Sequence, residues 1–323
     1  WSSDVCSSDL VMLKYVLKRL GYILVTLWVI VTCTFFMMKN LPGTPFDAER
    51  FSIMTPQQQE RVLEMYGLND SLPMQYVKYI KNMLKGDLGT SFTYVNQDVS
   101  KVITGRLGPS ALIGIQAVLI GLAIGLILGI LAAWKHNSGI DYFTMILAVL
   151  GVSVPNFVAA ALLQYYIGLK WGVLPVGFWT GWNCSVLPSI ALSFSATAMV
   201  ARFMRTEMLD VLDQDYIVTA RAKGLSQMKV LMRHAVRNSI LPVVTILGPI
   251  VVNLMTGSLA VENIFSIPGI GSLFVDCIKA NDYPVIMGIT IFYAAFYMLI
   301  VLLVDLAYSL IDPRIRLAKG KES

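Results

Sequence analysis

Six stretches of this chain contain no Asp, Glu, Lys or Arg: residues 20–38, 107–134, 142–169, 171–201, 238–261 and 283–304. A helix needs about 20 apolar residues to cross the hydrocarbon core of a bilayer, so each stretch is a candidate span. The fourth begins with the Gly-, Pro- and Trp-rich run KWGVLPVGFWTGWNCSV, which places the start of its helix near Leu187 and its tryptophans at the membrane interface. With 56% hydrophobic and 14% charged residues, the chain is far from a soluble domain, where about 25% charge is usual. The expected fold is an all-α membrane protein with six transmembrane helices and no large soluble domain.

The basic residues orient those spans. If the N-terminus lies inside, the inner segments hold fifteen lysines and arginines and the short outer connections hold only Lys170 and Lys279. The segment from Lys39 to Arg106 carries eight more, but segments beyond about 60 residues are a poor guide to orientation. Both termini are therefore expected in the cytoplasm, and the net charge of +5 reflects this placement.

The same spans divide the chain. Residues 1–11, WSSDVCSSDLV, are polar and unpatterned, whereas MLKYVLKRLGYILVTL reads as a basic start running into a span. Residues 1–11 are taken as a non-native leader before an initiating Met12, with a short native tail as the alternative. Residues 12–38 then form the first transmembrane helix, 39–106 an extracytoplasmic helical segment, 107–315 a five-helix core and 316–323 a cytosolic tail. Within 39–106, Thr55 and Gln58 have capping-box spacing, Pro56 suits the first helical position and Gly67 ends the turn. A second helix is predicted from Tyr76, Val77, Ile80, Met83 and Leu84, closed by Gly86. Together they would make a small cap on the outer face of the bundle, between the first and second spans.

The cytosolic loop, residues 202–238, holds a basic helix-forming island, DQDYIVTARAKGLSQMKVLMRHAVRNSILP. Asp215 is expected to cap a helix running to Lys223, Gly224 to stop it, and Ser226 to cap a second helix reaching about Arg237. Ala220 and Ala222 would leave a low surface for another protein, made positive by Arg221, Lys223, Lys229, Arg233 and Arg237. The plainer reading is a connector whose charges only fix orientation.

Elsewhere, Gly121, Gly125 and Gly129 put three small patches on one helical face, which lets another helix approach closely. Their partner is either in this chain, the favoured case, or in a second subunit. Pro155 and Asn156 interrupt the third span, which suits either a pathway lining or a packing kink. Asp305, inside the last apolar run, is either functional or a partner for an inner-loop arginine. No G-x-x-x-x-G-K-[ST] or H-E-x-x-H motif occurs, and the cysteines have no metal spacing. Cys184 and Cys277 both fall in outer connections, which leaves a disulfide open.

Four parts of the sequence resemble one family. TARAKGL with RHAVRNSILP is similar to the cytoplasmic loop of permease subunits of ATP-binding-cassette importers, in the dipeptide and oligopeptide branch. The segment GLNDSLPMQYVKYIKNMLKGDLGTSF, the run VENIFSIPGIGSLFVDCIKANDYPVIMG and the ending VDLAYSLIDPRIRLAKGK resemble the same family, so the likeness covers residues 12–315. The generic family loop opens with Glu-Ala-Ala; Thr219, Ala220 and Arg221 stand near that opening here. The resemblance implies a type I importer permease in the bacterial cytoplasmic membrane, whose coupling loop includes Asp215, Tyr216, Ala220, Arg221, Ala222, Lys223, Gly224 and Leu225. It also implies a second homologous permease, two cytosolic ATPase subunits that bind ATP and Mg, an extracytoplasmic substrate-binding protein, and no cofactor in this chain. Peptides are the leading substrate, with nickel or another small solute as the alternative.

Two other classes fit less well. A membrane-tethered DNA-binding protein would exploit the helix-turn-helix look of residues 213–237, but a segment that short, pinned at both ends to the bilayer, cannot build the usual supporting core. No partner nucleic acid is expected. An intramembrane enzyme would need a nucleophile-base pair or a metal cluster, and the spans contain neither.

Overall fold

The computed structural model describes residues 2–40, 51, 53–65, 67–94, 97–255 and 259–311; the side chains of 2–16, 65, 305 and 307–311 are outside that description. The regular structure of the described residues is helical, with one isolated bridge, Thr90 to Asp98. The helices are α1 (Ser2–Lys39), α2 (Pro56–Met65), α3 (Leu72–Met83), α4 (Val99–Trp134), α5 (Gly139–Ser153), α6 (Asn156–Leu163), α7 (Val186–Leu212), α8 (Asp215–Ala222), α9 (Arg237–Met255), α10 (Leu259–Ile264), α11 (Ile270–Lys279) and α12 (Tyr283–Ile311). Five described runs are long and apolar enough to cross a membrane, and a sixth follows if α5 and α6 with its continuation count as one bent span.

The chain separates into two compact units. The first comprises Trp1–Val16, Pro109–Pro268 and Tyr297–Ser323, and its centre is α7. Of the most apolar stretch in each span, 67% is buried for α7, 28% for α4 and 11% for α1, so α7 is the helix around which its unit packs. Leu187, Ala191, Val200, Met204 and Met208 supply the contacts on α7. The glycine stripe of α4 meets this same helix. A Cβ on Gly121 would stand 2.8 Å from the Ala196 Cβ, on Gly125 2.7 Å from the Val200 Cβ, and on Gly129 2.6 Å from the Ala201 carbonyl oxygen. Only hydrogen fits there, and the partner surface belongs to this chain.

The third expected window is not one straight helix. α5 and α6, the latter continued by π-helical Gln164–Lys170, meet at 100°. Pro155 favours the break, since the residue before a proline is disfavoured in the helical region, and Val154 sits at φ −82°, ψ 118°. Gln164 then fixes the second arm by donating from Nε2 to the carbonyls of Val176 (2.6 Å) and Ile264 (2.8 Å). In the same unit the Ser110 hydroxyl donates to Glu262 Oε1 at 2.7 Å, and both groups are buried.

The second unit comprises Leu17–Gly108 and Gly269–Phe296. Thr55 and Gln58 form the reciprocal cap: the Thr55 amide donates to Gln58 Oε1 (2.9 Å) and the Gln58 amide to Thr55 Oγ1 (3.4 Å). Gly67 and Gly86 stop their helices at positive φ, 64° and 81°. α3 lies against α1 through Tyr76, whose hydroxyl shares a 2.7 Å hydrogen bond with Thr32 Oγ1 and whose ring packs on Phe35 and Phe36. The apolar face predicted for α3 is only half covered, because Val77 and Leu84 remain exposed. A core of Val99, Ile103, Ile270, Leu273, Val285 and Ile289 closes this unit.

The connection between the fifth and last spans is largely helical, as α10 and α11. Its acids turn inward: Asp282 accepts from the Ser91 hydroxyl and from the amides of Phe92 (3.2 Å) and Thr93 (3.0 Å), so it fastens the 91–93 turn. Cys33, Cys184 and Cys277 are free thiols, and burial, reinforced by Asp282 and Asp276, pushes the Cys277 thiol up to about 12. The Asp305 side chain lies outside the described residues.

Candidate functional site

The basic island folds as two helical arms joined by a three-residue turn. α8 ends with Lys223 at its C-cap, Gly224 follows at φ 79°, and the Gly224 and Leu225 amides donate to the carbonyls of Arg221 (3.0 Å) and Ala220 (3.4 Å). This pairing is the Schellman closure, which needs a left-handed residue and therefore favours glycine. A Cβ on Gly224 would meet nothing within 4 Å, so the requirement is conformational and not steric.

The start of α8 differs from expectation. Gln214 occupies the cap position, and Asp215 is the first helical residue, where its charge favours the positive end of the helix but its side chain makes no cap bond. Ser226 does hold the cap of the next arm at φ −61°, ψ 147°, again without a side-chain bond. That arm does not end at Arg237. It runs from Gln227–Lys229 through π-helical Val230–Val236 directly into α9, because no glycine or proline interrupts it before Pro242.

α8 is seated on its own unit by Ile217 and Ala220, which pack with Val230 against Val211 and Leu212. Ala220 is thus only 6% exposed, and of the two alanines expected to face outward only Ala222 does so. Tyr216 accepts a 2.8 Å hydrogen bond from the Asn238 amide. The buried Ser239 hydroxyl donates to the Glu207 carbonyl at 3.1 Å, which ties the start of α9 to the last turns of α7. What faces outward is mixed: Val218, Leu225, Met228 and Met232 are exposed among Arg221, Lys223, Lys229 and Arg233. Exposed apolar groups ringed by one sign of charge mark a surface that a partner covers.

One ion pair was missed by the sequence reading. Buried Asp141, in the first turn of α5, takes two hydrogen bonds from Arg205 on α7, Nε at 2.6 Å and the terminal nitrogen at 2.8 Å, and one from the Asn137 amide at 3.0 Å. His136 Nδ1 stands 3.2 Å from the same carboxylate. The two-pronged geometry locks α5 to the last turns of α7. At the α5–α6 break, Pro155 is exposed and Asn156 half-buried. Among the described residues no group of three or more His, Cys, Asp or Glu can hold a metal ion.

The sequence matches two family models: "binding-protein-dependent transport system inner membrane component" over residues 125–317, and the N-terminal part of the same system's membrane component over residues 12–109. It is 46% identical over 306 residues to the dipeptide transport system permease protein DppB of Lactococcus lactis, covering 95% of this chain and 100% of the relative. It is 39% identical over 307 residues to the oligopeptide transport system permease protein OppB of Haemophilus influenzae, covering 94% and 100%. Among solved structures, an amino acid ABC transporter aligns with a TM-score of 0.50 at 19% identity, over 67% of this chain and 94% of that one. The methionine ABC transporter MetNI, in an inward-facing form, also aligns at 0.50, with 14% identity over 68% and 96%.

Proposed function

This chain belongs to the family of binding-protein-dependent transport system inner membrane components, and from that premise we propose that it forms part of the membrane pathway of an ATP-driven importer of dipeptides or oligopeptides. It is a multi-pass, non-catalytic membrane subunit. The relatives carry dipeptide and oligopeptide names over nearly their whole length, which favours a peptide over nickel or another small solute. In this reading a second homologous permease completes the pathway, two cytosolic ATPase subunits bind ATP and Mg, and an extracytoplasmic binding protein delivers substrate.

The observation that carries the mechanism is the glycine-closed loop. α8 and the turn after it present Arg221, Ala222, Lys223 and Leu225 outward while Ile217 and Ala220 hold α8 to the end of α7. A push on α8 from an ATPase subunit would pass through that seat into α7, and from there to α4 through the glycine stripe and to α5 through Arg205 and Asp141. The α5–α6 break, with Pro155 and Asn156, is the proposed pathway element on that route. A rigid relay of this kind needs no flexible hinge in the loop itself.

Orientation is tested first. A cysteine placed at Gln58 should react with a membrane-impermeant thiol reagent in intact cells and one at Gln227 should not; labelling at 227 with sealed membranes would reverse the assignment and remove the coupling role. For coupling, Gly224→Trp should leave the bundle folded but sharply reduce uptake in reconstituted vesicles and co-purification of the ATPase subunits. Normal assembly and uptake in that variant would place the docking surface elsewhere.

A further inference from the structure

Within the first unit, α7 leaves open a stripe that differs in chemistry from the open faces of its neighbours. Pro188, Leu192, Ser195, Met199, Arg202 and Thr206 follow the three-and-four spacing of one helical face. Pro188 and Leu192 are buried, Ser195 is half-buried, and Met199, Arg202 and Thr206 are exposed, so the stripe opens only over the half of the helix nearest α8. By contrast, α5 exposes Phe143, Ile146, Val149 and Leu150, and α4 exposes Leu119, Ile124 and Ile127. Those faces suit lipid; a stripe with a guanidinium and two hydroxyls does not.

Arg202 also lies inside the apolar zone and not at its edge. The Ser239 hydroxyl on α9 reaches the Glu207 carbonyl on α7 at 3.1 Å, so the two residues are level, and the uncharged run of α9 begins at residue 238. Arg202 stands five residues before Glu207, on the side away from the loop, which sets it about 7 Å deeper at roughly 1.5 Å per residue. A second marker agrees: Arg205 is fastened to Asp141, the residue just before the uncharged run of α5, and Arg202 is nearly one helical turn beyond Arg205. The Cα–Cβ bond of a helical residue tilts toward the helix N-terminus, here away from the loop, so this side chain sets out toward the middle of the span. Arg205 has its carboxylate, whereas Arg202 has no carboxylate partner among the described residues. An ionised side chain at such a depth faces a water-filled cavity or another protein surface.

We propose that this stripe lines the peptide pathway and that Arg202 binds the carboxylate at the peptide's C-terminus, an inference that rests on the transport reading above. Peptides of differing sequence share two charged groups, an ammonium and a carboxylate, and a guanidinium takes the second through two parallel hydrogen bonds. Met199 and the hydroxyls of Ser195 and Thr206 suit varied side chains, since a thioether adapts its shape and a hydroxyl both donates and accepts.

The test uses the purified complex of both permeases and the ATPase subunits, without ATP and without the binding protein, and reads the modified position by mass spectrometry. In Met199→Cys a cationic, water-soluble thiol reagent should modify the new cysteine, whereas Ile146→Cys on the open face of α5 should resist it. Millimolar alanine tripeptide should slow modification at 199 and its C-terminal amide should not. Adding Arg202→Gln should abolish that protection, and adding Arg202→Lys should keep most of it. In reconstituted vesicles with the binding protein, Arg202→Gln alone should lower tripeptide uptake about tenfold, the weight of one charge-assisted contact, with a parent-like melting profile. Equal reactivity at 199 and 146, or none at 199, would put the stripe against lipid or a partner subunit and overturn the proposal. Equal protection by the acid and the amide, protection that survives Arg202→Gln, or unchanged uptake in that variant would overturn it as well. Protection is read without transport, so failure of the parent complex to import any peptide would strike the transport reading separately.

Discussion

The glycines of α4 and the glycine of the loop do opposite jobs. Gly121, Gly125 and Gly129 sit in ordinary helix and are required by their neighbours, whereas Gly224 has empty space around it and is required by its own backbone. The first kind of glycine protects the fold. The second protects a shape at the surface, and a protein can lose that shape without losing its bundle. Substitutions at the two places should therefore separate stability from transport.

The largest effect is expected at Gly129→Leu. The incoming Cβ would lie 2.6 Å from a backbone oxygen of Ala201 and 2.8 Å from the Met204 Cβ, and overpacking of this kind costs typically 1–3 kcal/mol or more. Thermal melting in detergent should fall clearly and the monodisperse fraction should shrink. A parent-like melt would mean that α4 and α7 can part without penalty, and the relay through them would fail. Smaller is Gly224→Ala, set beside Gly224→Asn. Alanine at φ 79° should cost about 1 kcal/mol, while asparagine, which tolerates the left-handed region, should cost less. If uptake follows the order Gly, Asn, Ala while melting barely moves, the backbone requirement is separated from bulk; equal uptake for Asn and Ala would make the conformation irrelevant. Smallest is Ser226→Ala. A cap serine that makes its bond contributes about 1 kcal/mol, but here the bond is absent, so melting and uptake should both stay near the parent. A clear loss at Ser226 would show that its hydroxyl meets a partner.

Much of this was legible in the sequence because lipid leaves few choices. Uncharged runs announce spans, four-residue glycine spacing announces a close helix contact, and Thr55 with Gln58 announces a cap. What escaped was the outcome of competition between elements far apart in the chain. Rotation of α8 about its axis was invisible, so Ala220 was expected outward although Ile217, Ala220 and Val230 meet beneath it. Arg205 finds its acid 64 residues away at Asp141, a partner that no local pattern could suggest. Proline was ambiguous for a related reason. Pro109, Pro242 and Pro249 sit inside unbroken helices, yet Pro155 accompanies a 100° bend, and the difference lies in Gln164 reaching two distant carbonyls to hold the second arm.

The Asp282 carboxylate adds a constraint of time. It gathers the Ser91 hydroxyl and the Phe92 and Thr93 amides across about 190 residues of chain. Synthesis runs from the N-terminus, so the 91–93 turn emerges with its donors unclaimed and waits while four further spans are made and inserted. Distant contacts are slow to close because the intervening chain must be ordered first. The turn is then sealed by Asp282, which immediately precedes the last helix, so a segment made early is locked only after most of the chain has been synthesised.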